Sequence, residues 1–225
     1  MYKIETHLHT KPASTCGKLE PEEMIRLYHE AGYSTVFVSD HFAEHHFAQW
    51  GEDCSWQEKV GHMYEGYLRA KAVGERLGMH VLFSPELSLG ANHFLLYHAD
   101  LAFLTQREDY FQMTPEEFYP IAKAHGITVI QAHPFRDEKC TPYPLCADGF
   151  EVINSNPRHE NFDEKTIALA KEYPLLLSAG SDAHRLEDIG GAAVVSPYEI
   201  TTTAEYLALL KSGKAKLMKW GEIIL

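Results

Sequence analysis

The stretch ETHLHT (5–10) places His7 and His9 one residue apart at the end of a run that reads as a strand. On an extended strand, residues i and i+2 share a face with Cα atoms roughly 6.5–7 Å apart. Two imidazoles at that spacing can hold one metal ion. Groups of the same type recur along the chain: SDH at 39–41, Glu86 in SPEL, His133 in QAHPF, and Asp182 and His184 in GSDAH. Histidine and carboxylate are the usual donors to divalent ions. Each piece also has an ordinary explanation. An HxH arises by chance, Asp40 or Asp182 can cap a helix, and Glu86 can be a polar strand end. Only their placement in the fold distinguishes the two.

The elements that must position these residues alternate. YKIETHLH (2–9) reads as a strand. EPEEMIRLYHEAG (20–32) reads as a helix with Pro21 in its first turn and Gly32 at its end. Further strands are predicted over 34–40, 79–87, 92–98, 127–133, 149–155 and 174–182, and further helices over 56–78, 114–126, 162–173 and 202–213. The β–α–β order with short connections predicts parallel strands. Strands apolar on both faces predict a helix-covered sheet or a closed barrel. On this scheme five strands end in metal-type donors: His7 with His9, Asp40 with His41, Glu86, His133, and Asp182 with His184. That edge carries the active sites of α/β barrels and open α/β sheets. The convergence predicts one shared site.

Composition bounds the rest. The chain has 225 residues, enough for a sizeable core, and is expected to form a single domain over 1–225. Its formal charge of −12 disfavours a nucleic-acid partner, although carboxylates that hold metal would distort that balance. Fourteen histidines are many, and histidine is the commonest metal-binding side chain. No apolar run is long enough to span a membrane, and no signal peptide is visible. Cys16, Cys54, Cys140 and Cys146 form no CxxC pair, so reduced thiols and a cytoplasmic location are expected.

HLHT, SDH, AHPF and AGSDAH, in this order and at these strand ends, resemble the PHP family, named for polymerase and histidinol phosphatase. The likeness runs from His7 to about Gly190, and residues 151–184 look like the family's closing segment. The resemblance implies a distorted (β/α)7 barrel of the TIM-barrel type. It implies two or three divalent ions at the barrel mouth, as zinc, manganese or iron, and hydrolysis of phosphate esters. His7 and His9 with Glu86 and Asp182 would hold one ion, and His41 with His184 a second. Glu86 would bridge to a third completed by His133 and His93, with His98 the alternative to His93. Asp40 would orient an imidazole from behind. Where the family has an Asp or His before a glycine, Cys16 precedes Gly17 here; it either biases the second ion toward zinc or is a small loop residue.

Phosphate affinity calls for cationic side chains, and arginine suits it through bidentate geometry. Arg158, Arg136 and Arg185, in that order, are the candidates for substrate binding; each follows a strand end. Asp182, His184 and His159 are the candidate catalytic groups, His159 as the acid that protonates the leaving group. His45 and His46 lie near the predicted mouth, within reach of a substrate. The expected activity is hydrolysis of a small phosphomonoester by metal-activated water. Alternatives are an exonuclease-type phosphodiesterase, a histidinol-phosphatase-like enzyme and a metal-dependent amidohydrolase. The last typically needs a lysine or a later histidine pattern that this chain lacks.

Overall fold

The computed structural model describes residues 1–225. The first half runs β1 (Tyr2–Leu8), α1 (Pro21–Glu30), β2 (Tyr33–Val38), β3 (His41–Phe42), α2 (Glu44–Phe47), α3 (Trp56–Leu77), β4 (His80–Phe83), β5 (Glu86–Leu89) and β6 (Asn92–Tyr97). The second half runs α4 (Leu101–Leu104), α5 (Pro115–Ala124), β7 (Thr128–Ala132), β8 (Gly149–Asn154), α6 (Asp163–Ala170), β9 (Leu176–Gly180), β10 (Ala192–Ser196), α7 (Thr203–Lys211), β11 (Lys216–Lys219) and β12 (Glu222–Ile223).

Helix starts follow local chemistry. Ser55 with Glu58, Thr114 with Glu117 and Thr202 with Glu205 form reciprocal capping boxes at the starts of α3, α5 and α7. Gly78 closes α3 at φ 71°, a conformation that costs glycine little.

The strands form two six-stranded sheets, ordered β12-β11-β10-β1-β2-β4 and β3-β5-β6-β7-β8-β9. This corrects two expectations. The hydrogen-bonded ladder does not close into a (β/α)7 barrel, and the strands are not all parallel. β1 pairs parallel with β2 but antiparallel with β10, and β6 is antiparallel to both neighbours. β5 and β6 are joined by the tight turn at Gly90, and so short a connection can join only antiparallel strands.

The strand expected over 79–87 is also two. Pro85 has no N–H to donate, the ladder breaks there, and β4 and β5 join different sheets. β10 was not anticipated; its five residues, AAVVS, are too short to show a period.

Ile4 and Phe37 from the first sheet and Leu95, Ile130 and Phe150 from the second belong to one buried apolar cluster. The sheets meet again where their polar ends converge. Leu8 bridges to Ala183, and the His9 N–H donates to the Ala183 carbonyl at 2.9 Å. At the other seam the Glu86 N–H donates to the Asp40 carbonyl at 3.2 Å. No helix is long and apolar enough to cross a membrane, and all four cysteines are free.

Gly180, at the end of β9, packs tightly against β1. A Cβ there would overlap Glu151 Oε1 and the Cβ of His7. Gly180→Ala should lower stability by about 1–3 kcal/mol through this overpacking and should also reduce metal content. Chemical denaturation together with metal analysis checks this; an unchanged variant would show that β1 and β9 can separate freely.

Candidate metal centre

Each candidate donor sits at or beside an end of one of six strands. His7 lies on β1 with His9 directly after it. His41 starts β3, Glu86 starts β5, and His93 lies on β6. His133 follows β7, and Asp182 and His184 follow β9. His133 and Asp182 adopt φ of 32° and 52°, a region side chains rarely occupy. Such strain persists only where surrounding contacts impose it.

The Glu86 carboxylate is fully buried at the centre. Its Oε1 lies 3.1 Å from His7 Nε2, 3.1 Å from His93 Nδ1 and 3.2 Å from His133 Nε2. Its Oε2 lies 2.7 Å from His41 Nδ1 and 3.7 Å from His9 Nε2. Asp182 Oδ1 stands 3.1 Å from His9 Nε2 and 3.5 Å from His7 Nε2 and from His184 Nδ1. All eight expected metal donors are therefore together. Of the two alternatives, His93 lies against Glu86, whereas His98 is exposed.

The groupings cross the partition the resemblance implied. His9 groups with His41 and His184 as well as with His7 and Glu86, and His133 groups with His7 and Asp182.

Hydrogen bonds behind the rings aim them. Glu151, which the sequence reading did not single out, is buried and accepts from His7 Nδ1 at 2.9 Å. It also accepts from the His133 backbone N–H at 3.3 Å. His9 Nδ1 is 3.3 Å from Ser14 Oγ, which in turn donates to Asp40 Oδ1 at 2.9 Å. Asp40 thus orients His9 through Ser14. His184 Nδ1 donates to the Asp182 carbonyl at 2.8 Å. For His7, His9 and His184 the outward nitrogen is satisfied and Nε2 is left as the free donor, the usual device at metal-binding histidines.

The donor set fits divalent ions. His7 Nε2, His9 Nε2, His41 Nδ1, Glu86 Oε2 and His133 Nδ1 are buried without a hydrogen bond of acceptable geometry. Buried polar atoms are ordinarily paired; here several orphans point into one space. Burial opposes charge on Glu86, but His93, His7 and His41 overcome it and hold its pKa well below the carboxylate norm. For Asp182 burial is likewise outweighed, chiefly by Arg136. Burial, reinforced by its histidine neighbours, drives His9 well down, and burial lowers His133 to about 3. Both are neutral at pH 7, the form that ligates. His7 is raised well above its norm, because Glu151, Asp182 and Glu86 outweigh its burial. A metal ion would have to displace that proton. Burial, then Asp182 and Glu86, push the Cys16 thiol up to about 12.

Above the donors lies an open cavity of about 560 Å³ lined almost wholly by polar side chains. Arg136, Arg158 and Arg185 all line it, as do His45, His46, Asn156, His159 and His184. The arginines are not equivalent. Arg158 grips Asp188 with two bonds of 2.6 and 2.8 Å. Asp188 also accepts the backbone N–H groups of His184 and Arg185. Arg136 bonds Asn161 and Asn154 and approaches Asp182 Oδ2 at 2.6 Å. Arg185 has only Glu187, at 3.8 Å, and is the least committed. Burial and then Arg136 lower the pKa of His159, so at neutral pH it is a poor proton donor and a better acceptor.

The PHP-associated family matches residues 161–215, a stretch that includes Asp182, His184, Arg185 and Asp188. A two-domain protein of Bacteroides vulgatus, containing a predicted PHP-like metal-dependent phosphoesterase, aligns over the whole chain at 16% identity and TM-score 0.67. The chain spans 66% of that protein's length. PsfC of Pseudomonas syringae aligns over 92% of this chain and 88% of its own at 16% identity and TM-score 0.64. An amidohydrolase of Chromobacterium violaceum with bound sulfate and no metal aligns over 96% and 97%, at 16% identity and TM-score 0.57. No curated protein matches the sequence. At these identities the likeness establishes the PHP-like fold.

Two measurements test the centre. Zinc or manganese at a hundredfold excess over Kd should add about 2.7 kcal/mol, roughly 5–10 °C in Tm for a chain of this size. Glu86→Gln should abolish most of that increment, and an undiminished rise in the variant would move the ions elsewhere. Glu5, buried beneath His7 on β1, is raised from 4.5 to about 7 by burial. Its unfolded form ionises first, so stability is fully present below pH 4.5 and is lost as pH rises through 7, by up to roughly 3 kcal/mol. Glu5→Gln can keep the bonds from Thr6, His7 and Ser181 N–H and donate to Tyr28. In chelated protein it should flatten that decline, which denaturant titrations across pH read directly.

Proposed function

We propose that the chain is a metal-dependent phosphoesterase that hydrolyses a small phosphomonoester. The observation that carries the reading is a cluster of orphaned histidine and carboxylate donors opening directly into a cavity rimmed by three arginines. His7, His9, His41, Glu86, His93, His133, Asp182 and His184 would hold two or three ions. Ions there would supply a water of lowered pKa and neutralise charge on the phosphoryl oxygens.

The chain's own residues do the remainder. Arg185 is free to meet a phosphate oxygen at the cavity mouth. Arg158, through Asp188, holds the backbone of His184 and Arg185 in register. Asn156 donates to the Asp182 carbonyl and carboxylate at 3.1 and 3.3 Å and fixes that side chain. The cavity wall carries no Phe, Tyr or Trp for a base to stack on, and the net charge of −12 opposes long nucleic acid. Both features favour a small polar ester over a polynucleotide.

The test is hydrolysis of p-nitrophenyl phosphate and its bis-ester, short single-stranded DNA and simple amides by the metal-loaded protein. The monoester should be cleaved fastest and chelator should stop it. Arg185→Ala should raise KM for the monoester about tenfold, with kcat and metal content nearly kept. Faster turnover of DNA would favour a phosphodiesterase, and turnover of amides alone an amidohydrolase.

A further inference from the structure

His46 lies beside the donor cluster, with a ring nitrogen within 4.8 Å of Cys16 Sγ and of a ring nitrogen of His41. Proximity alone would make it another metal ligand. Its hydrogen bonds say otherwise. The backbone N–H of Thr15 donates to His46 Nδ1 at 3.0 Å. A backbone N–H can only donate, so Nδ1 bears a lone pair and no proton. Thr15 Oγ1 lies 2.8 Å from the same nitrogen and donates to it too. A neutral imidazole carries one ring proton, and here it must be on Nε2. A protonated nitrogen has no lone pair for a metal, and the other nitrogen is occupied by Thr15.

The ring is also held still. It is 3% exposed, stacks on His41 at 4.3 Å and 15°, and meets His45 at 4.2 Å. It lines the same cavity as Arg158, Arg185 and His184.

We infer that His46 is not a metal ligand but a fixed neutral donor, presenting Nε2–H to an oxygen of the anionic substrate. A donor oriented before the substrate arrives loses little on binding. A neutral N–H suits this position, because an arginine or lysine packed on His41 would repel ions held there. The inference rests on the phosphoester reading for what the donor meets, whereas the tautomer stands apart from it.

Two experiments decide it. Long-range ¹H–¹⁵N spectra of the His46 ring should show Nε2 protonated and Nδ1 bare, in chelated and in zinc-loaded protein alike. Loss of the Nε2 proton on zinc loading would make His46 a ligand and overturn the inference. His46→Ala should keep the wild-type zinc stoichiometry and raise the Kd for inorganic phosphate about tenfold. His46→Gln, which retains an amide donor, should recover much of that affinity. A missing equivalent of zinc in His46→Ala, or phosphate affinity unchanged with zinc retained, would also overturn it. Failure of the zinc-loaded wild type to bind phosphate would sink the phosphoester reading and the substrate role together; the spectra still decide ligand or donor.

Discussion

A single buried carboxylate organises this molecule. Glu86 sits fully enclosed with five imidazoles within 3.7 Å of its two oxygens. An isolated carboxylate in such a place is untenable; it must be matched by positive charge or take up a proton. Imidazole is suited to the task because it can be cationic without metal and a neutral donor with it. Asp182 repeats the problem a few ångströms away and is met by Arg136. The surrounding hydrogen bonds, from Glu151, Ser14 and the Asp182 carbonyl, keep the rings aimed at that charge.

The two sheets make this possible by converging at their polar ends. Six strands contribute one or two donors each, and no single element supplies a site. A break at Pro85 sends Glu86 into the second sheet, where β3 pairs it with His41. An unbroken strand from 79 to 87 would have left Glu86 on the wrong sheet. The departure from a simple barrel is thus tied to the position of the central carboxylate.

Much of the centre was legible in the sequence because its donors end strands whose apolar runs are unmistakable. HLHT, SDH, QAH and GSDAH each announce both a strand end and a ligand type. What the residues alone could not reveal depends on chain partners. Glu151 lies inside an apolar strand, GFEVIN, and its role appears only when its side chain reaches past Gly180 on β9 to His7 on β1. The commitment of Arg158 to Asp188 joins residues thirty apart, with α6 and β9 between them. The antiparallel strands, β10 above all, are short and lack a period, so nothing local marked their direction.

The seam between the end of β1 and the turn after β9 has a consequence for how the protein is made. His7 and His9 leave the ribosome some 175 residues before Asp182 and His184. Until the Leu8–Ala183 bridge can form, the early histidines face a half-built pocket whose acidic side is missing. The donor cluster therefore depends on contacts between residues far apart in the sequence, which close late relative to local ones. The donor set is complete only once the chain has been made through His184, and any event that parts the seam would separate its members.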